Sequence, residues 1–144
     1  MINTELEKLY YEDKNERESN TIQSEKELTD NTKKRIETLK KMLPAVDTEE
    51  IWNCHYIAYL LHHGDSTEDY KLAHYYAKKA VEMGSSVTKW LYAATLDRLL
   101  ISQGKPQKYG TQFKLIDSKK VYFPTDGTIS EEEKIKHGVE YINE

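Results

Sequence analysis

The sequence predicts a mainly α, single-domain bundle of five to six helices with a short β-hairpin near the C-terminus. Three observations predict it: apolar residues recur at helical spacing through most of residues 4–102. Capping residues and helix-stopping Gly or Pro punctuate those stretches. Between 113 and 123, two short β-prone runs flank a turn. At 144 residues the chain can bury a core as one domain, 1–144, without metal or disulfides.

The elements follow in order. Thr4 with Glu7 reads as a capping box opening a helix of about 15 residues, with Leu6, Leu9, Tyr10, Asp13 and Arg17 on one side. Residues 18–29 are polar and interrupted by Ser, Asn and Thr, which predicts a fraying helix end and a linker. A second helix is expected from Thr29 or Asp30, burying Ile36, Leu39, Met42 and Leu43 and stopped by Pro44. The third, from Asp47 or Thr48 to about His63, is apolar most of the way round and therefore central.

Gly64 ends that helix and Ser66 restarts the chain; Leu72, Ala73, Tyr76, Ala80 and Met83 then form the stripe of a fourth helix closed by Gly84. Ser85 or Ser86 is read as the cap of a fifth helix that buries Val87, Trp90, Leu91, Ala94 and Ile101 and ends at Gly104. The fourth and fifth helices resemble one hairpin of a Sel1-type repeat through Ala77, Lys79-Ala80 and Gly84, but no second copy recurs at a fixed period, which disfavours a solenoid. Phe113–Ile116 and Val121–Phe123 flank Asp117–Lys120 as a hairpin that must lean on the helices. Ser130 with Glu133 begins a last short helix through Ile135 and Val139.

Composition removes several classes of function. A formal charge of −4 argues against nucleic acid or an anionic membrane as the main partner, since both need a net basic surface. The lone cysteine, Cys54, and the lack of a leader or long apolar run predict a cytoplasmic, reducing location. No Walker loop, dinucleotide fingerprint or nucleophile elbow occurs, and Cys54 sits mid-helix among apolar residues. His62, His63, Asp65 and His74 are the candidates for a metal, but their spacing matches no known ligand set, so neither metal nor cofactor is expected.

What remains is polar chemistry where leucines belong. Asp13 and Arg17, His55 and His62, and Asp97 and Arg98 lie on inward faces of three helices. A lone buried charge costs several kcal/mol in practice, so each must find partners or water. His55 alone reads as a satisfied core histidine, and Asp13 with Arg17 can pair at i,i+4. Between the fifth helix and the hairpin, Gly104–Gln112 supplies two glycines, a proline, two amides, a phenol and a hydroxyl. The economical arrangement is one shared polar centre, with Asp13, Arg17, His62, Asp97, Arg98, Gln107, Tyr109, Thr111 and Gln112 converging on a ligand.

These residues also carry a resemblance. Asp97-Arg98 followed by Gly-x-Pro-Gln-x-Tyr-Gly-Thr-Gln at 104–112 resembles the signature of an uncharacterised bacterial family of unknown function. The likeness extends to Asp13, Arg17, Arg35, the 62–65 stretch, Pro124–Asp126 and His137–Val139, and Lys134 and Lys136 lie near where relatives carry an arginine pair. It implies that the inward polar residues are the family's own signature, and it supplies no reaction. The expected function is a protein with a buried polar pocket for a small anionic or nucleotide-like ligand. A hydrolase or transferase using the same pocket, and an immunity or anti-defence interaction module, are the competing expectations. A homo-oligomer or protein partner is left open.

Overall fold

The computed structural model describes residues 1–19 and 24–139. It is mainly helical, as expected: α1 is Thr4–Glu18, α2 Glu25–Met42, α3 Ile51–His62, α4 Thr67–Glu82, α5 Lys89–Ser102 and α6 Glu131–Lys136, with a two-stranded antiparallel sheet of β1 Phe113–Ile116 and β2 Lys119–Tyr122. No helix of the described residues is long and apolar enough to cross a membrane.

α3 is the axle. It packs against α1, α2, α4 and α5, and Cys54, Ile57, Ala58, Leu60 and Leu61 on it are fully buried. Its all-round apolarity therefore reflects neighbours on every side. Leu6 and Tyr10 of α1, Ile36 and Leu39 of α2 and Ala73 of α4 close the main core around it. On α4, Ala73, Ala77 and Ala80 are fully buried, and their small side chains let the backbone approach α3 and α5 closely.

Several boundaries differ from expectation, each for a local reason. The cap of α1 is Asn3, whose side chain accepts from the Leu6 amide, while its own N–H donates to Asn53 Oδ1 of α3 at 2.8 Å. α2 starts at Glu25, because the Ser24 side chain accepts from the Glu27 amide and caps the helix inside the polar stretch. Glu50, and not Asp47 or Thr48, caps α3. Ser85 and Ser86 do not cap α5, which starts at Lys89 without a side-chain cap; the Ser85 hydroxyl instead meets Thr88 Oγ1 at 2.6 Å, and Thr88 also meets His55 Nδ1 at 2.9 Å. His55 is thus a satisfied core histidine. Val87 and Trp90 are about half exposed.

The hairpin turns on two residues, not four: Asp117 and Ser118 have φ of 51° and 64° and β2 begins at Lys119, the left-handed geometry that matches strand twist in tight hairpins. Phe113 pairs with Tyr122 and Ile116 with Lys119. All four residues of β1 are exposed, so the hairpin stands off the helices more than expected. α6 ends at Lys136, and Val139 is buried beyond it against Ala93 and Tyr109.

Candidate functional site

The Gly104–Gln112 loop is fastened to α5 by one carboxylate. Asp97, fully buried, accepts from the amides of Lys108 and Tyr109 on Oδ1 at 2.8 and 2.9 Å, and from the amide and hydroxyl of Thr111 on Oδ2 at 3.0 and 2.7 Å. A carboxylate offers about four lone-pair sites, so Asp97 is spent. Gln107 acts the same way within the loop: Oε1 accepts from the Gln112 amide at 2.9 Å, and Nε2 donates to the carbonyls of Gln112 and Phe123 at 3.1 and 2.7 Å. Gly110, at φ 83°, takes the left-handed bend between Tyr109 and Thr111.

Tyr109 turns away from any ligand face. Its ring packs with Ala93 and Val139 and meets His137 edge-on at 5.1 Å, and burial pushes its hydroxyl up to about 12. Three of the expected ligand contacts, Asp97, Gln107 and Tyr109, are thus engaged in building the loop and its packing.

On the other side of this loop lies a cavity of about 340 Å³ between the end of α3, α5 and the start of β1. Arg98, His62, Thr111 and Gln112 supply its polar lining, and Tyr59, Trp90, Leu91 and Phe113 its apolar lining, with His63 at the edge. Arg98 is held at two points: Nε donates to Gln112 Oε1 at 3.0 Å and Nη1 to the His62 carbonyl. Gln112 Nε2 in turn donates to Thr111 Oγ1 at 3.0 Å, which ties the arginine to the Asp97-anchored loop. Arg98 has no carboxylate partner among the described residues, and burial lowers its pKa from the ordinary arginine value.

His62 is 4% exposed and its Nδ1 has no hydrogen-bond partner among the described residues. Burial, and then the charge of Arg98, hold it well below the usual histidine range. Near neutral pH the ring is uncharged, with a nitrogen to spare.

Asp13 and Arg17 belong to a second polar centre. Asp13, fully buried, accepts from Arg17 Nε at 2.7 Å and from Arg35 Nε at 3.1 Å. Arg35 Nη2 reaches Glu16 at 2.7 Å, and Thr32 Oγ1 accepts from both arginines. His63 Nδ1 stands 3.0 Å from Asp13 Oδ1 without hydrogen-bond alignment. Burial acts to raise the Asp13 pKa, but the approach of His63 and the bond from Arg17 outweigh it and hold the carboxyl at about 2. This cluster welds α1 to α2 and borders a second cavity of about 520 Å³ that reaches Arg17, Ile36, Lys40 and Asp69.

The single shared centre is thus corrected to two. Consecutive residues on a helix point about 100° apart: His62 lines the cavity of α5 and the loop, while His63 contacts Asp13 on α1. His62, Arg98, Thr111 and Gln112 come together; Asp13 and Arg17 stand across the His62–His63 pair, whose ring centroids are 5.6 Å apart. Sequence reasoning passed over Glu16 and Thr32 in the α1–α2 cluster, and Tyr59, Trp90 and Phe113 in the cavity. Glu16 was visible as the i+3 neighbour of Asp13; nothing local marked the three aromatics. No family model, no curated protein and no solved structure matches this chain.

Proposed function

We propose that this chain binds a small anionic or nucleotide-like molecule in the cavity beside Arg98. The observation that carries the reading is a part-buried guanidinium among α3, α5 and the loop, anchored by Gln112 and the His62 carbonyl, yet facing no acid among the described residues. A part-buried cation without an acid beside it is costly, and an oxyanion arriving in the cavity supplies the missing partner through charge-assisted hydrogen bonds. Thr111 and Gln112 orient the arginine, Tyr59, Trp90 and Phe113 offer ring faces, and neutral His62 offers a polar contact. Asp13 and Arg17 support the helices, while Asp97, Gln107 and Tyr109 shape the loop. The resemblance to the bacterial signature family belongs to the same proposal and rests on the motif alone.

A hydrolase or transferase in the same cavity would need His62 as general base. A ring held well below its usual basicity takes protons poorly near neutral pH, which favours binding over turnover. Exposed Leu115, Ile116 and Val121 on the hairpin support the interaction-module reading instead. Thermal-shift screening against nucleotides, sugar phosphates and amino acids tests all three. The binding reading expects a rise in Tm that Arg98→Ala abolishes and a ligand recovered unchanged after incubation. A converted ligand would favour the enzyme, and silence in the screen with a stoichiometric protein captured would favour the module.

A further inference from the structure

On the ligand-binding reading above, we infer that the occupant is a flat ring carrying a single negative charge, as a carboxylate or a phosphodiester, and not a polyphosphate. The charge inventory around the cavity sets the first limit. Among the described residues that line it, Arg98 is the one permanent cation and none is a lysine; Lys120 Nζ lies 4.8 Å from the Phe113 ring centroid but is not part of the lining. Behind the loop, Asp97 is already a buried acid held only by N–H and O–H donors. Across His63, the two carboxylates Asp13 and Glu16 are matched by the two guanidiniums of Arg17 and Arg35, so that cluster lends no spare positive charge. One negative charge on the ligand balances Arg98; a second would be buried without a partner.

The donor geometry agrees. A guanidinium carries five N–H groups, and Arg98 commits Nε and one N–H of Nη1 to the protein. What is left lies on the two terminal nitrogens, the end-on fork that meets both oxygens of a carboxylate or of a phosphodiester. His62 Nδ1, buried and unpartnered, adds a contact without adding charge.

Shape sets the other limit. A volume of about 340 Å³ lies near the low end of small-molecule sites, sized for one ring system with its acidic group. Trp90 and Phe113, 46% and 39% exposed, stand at that cavity although each carries a large apolar ring. A flat ring laid against them buries area that water otherwise covers.

Isothermal titration of the full chain near neutral pH tests this with two charge series. In one, adenosine, its cyclic monophosphate, its open monophosphate and its triphosphate keep the ring and raise the charge. In the other, naphthoate is compared with naphthamide. The expected result is that a monoanion of at least one series binds at least about tenfold tighter than its neutral counterpart. In the adenosine series the cyclic monophosphate also exceeds the more highly charged members. Binding of naphthoate alone marks the carboxylate, and binding of the cyclic phosphate alone the phosphodiester; either supports the inference. Arg98→Ala and Arg98→Lys, each checked for a native urea midpoint, should both lose the preference for the anion.

Tighter binding of the open monophosphate or triphosphate overturns the single charge while leaving the binding reading intact. Equal binding of the neutral ring overturns the need for an anion. Failure of every member of both series sinks the inference and the binding reading together.

Discussion

The chain has three arginines, and they divide the molecule into two kinds of polar interior. Arg17 and Arg35, between α1 and α2, are locked to Asp13, Glu16 and Thr32, with acids and guanidiniums in equal number. Arg98, between α3, α5 and the loop, is anchored among the described residues to an amide oxygen and a backbone carbonyl. Both regions hold charge at least partly out of water. Among the described residues the first is matched by acids and the second is not, and this difference is what supports the proposed ligand.

Substitutions should separate the two regions by size of effect. Asp13→Ala removes the acid shared by Arg17 and Arg35 and is expected to cost about 3–5 kcal/mol in urea denaturation, since it strands buried cations. A loss below about 1 kcal/mol would mean that the α1–α2 cluster is not the closed network described. Asp97→Ala comes next, at about 2–4 kcal/mol, because several buried donors lose their acceptor. Hydrogen exchange should show the Lys108, Tyr109 and Thr111 amides unprotected in that variant, with the α1–α2 region unchanged.

Acid should act on both regions in sequence. His55, His62, His63 and His74 are held below the usual histidine range, first of all by burial, with His55 at about 4. Above the unfolded value of 6.5 they cost the fold nothing. As pH falls below it, the unfolded chain takes up protons that the folded one refuses, so stability declines toward pH 4, by about 3 kcal/mol from His55 alone and by more with the others. Asp13 moves in the same direction at lower pH: its stabilisation is full above the unfolded value of 3.8 and is lost as pH falls toward about 2. Urea midpoints measured across that range should therefore show a histidine phase before the carboxylate phase.

Arg98→Ala is the smallest stability effect and the sharpest contrast. Lost anchoring bonds to Gln112 and His62 are offset by removal of a part-buried charge with no acid beside it among the described residues, so the change should stay within about 1 kcal/mol while ligand binding disappears. A loss as large as that of Asp13→Ala would reveal a hidden partner for Arg98 and erase the distinction.

The sequence carried much of the architecture and less of the site. α3 was legible as the central helix because residues apolar on all sides have only one comfortable place, and the Asp97-Arg98 step stood out because charges broke an apolar stripe. The start of α2 was hidden because Ser24 and Glu27 are a cap only when helix follows, and the surrounding residues are uniformly polar. The split into two polar centres could not be read, because which wall each of two adjacent histidines faces depends on how α1 and α5 dock on α3. Glutamines in a loop look the same whether they serve a ligand or, like Gln107, their own backbone. Trp90 misled in the opposite sense: its apolar ring suggested core, and it lies half exposed at the cavity.

On the proposed function, an outside anion completes Arg98. A crystal structure of the full chain with the tightest monoanion from the titrations tests it most directly. The account predicts an oxygen of that ligand at about 2.8 Å from a terminal nitrogen of Arg98, with its ring against Trp90 and the bonds to Gln112 and His62 intact. A ligand seated elsewhere, or a carboxylate of the chain itself occupying the Arg98 fork, would contradict it.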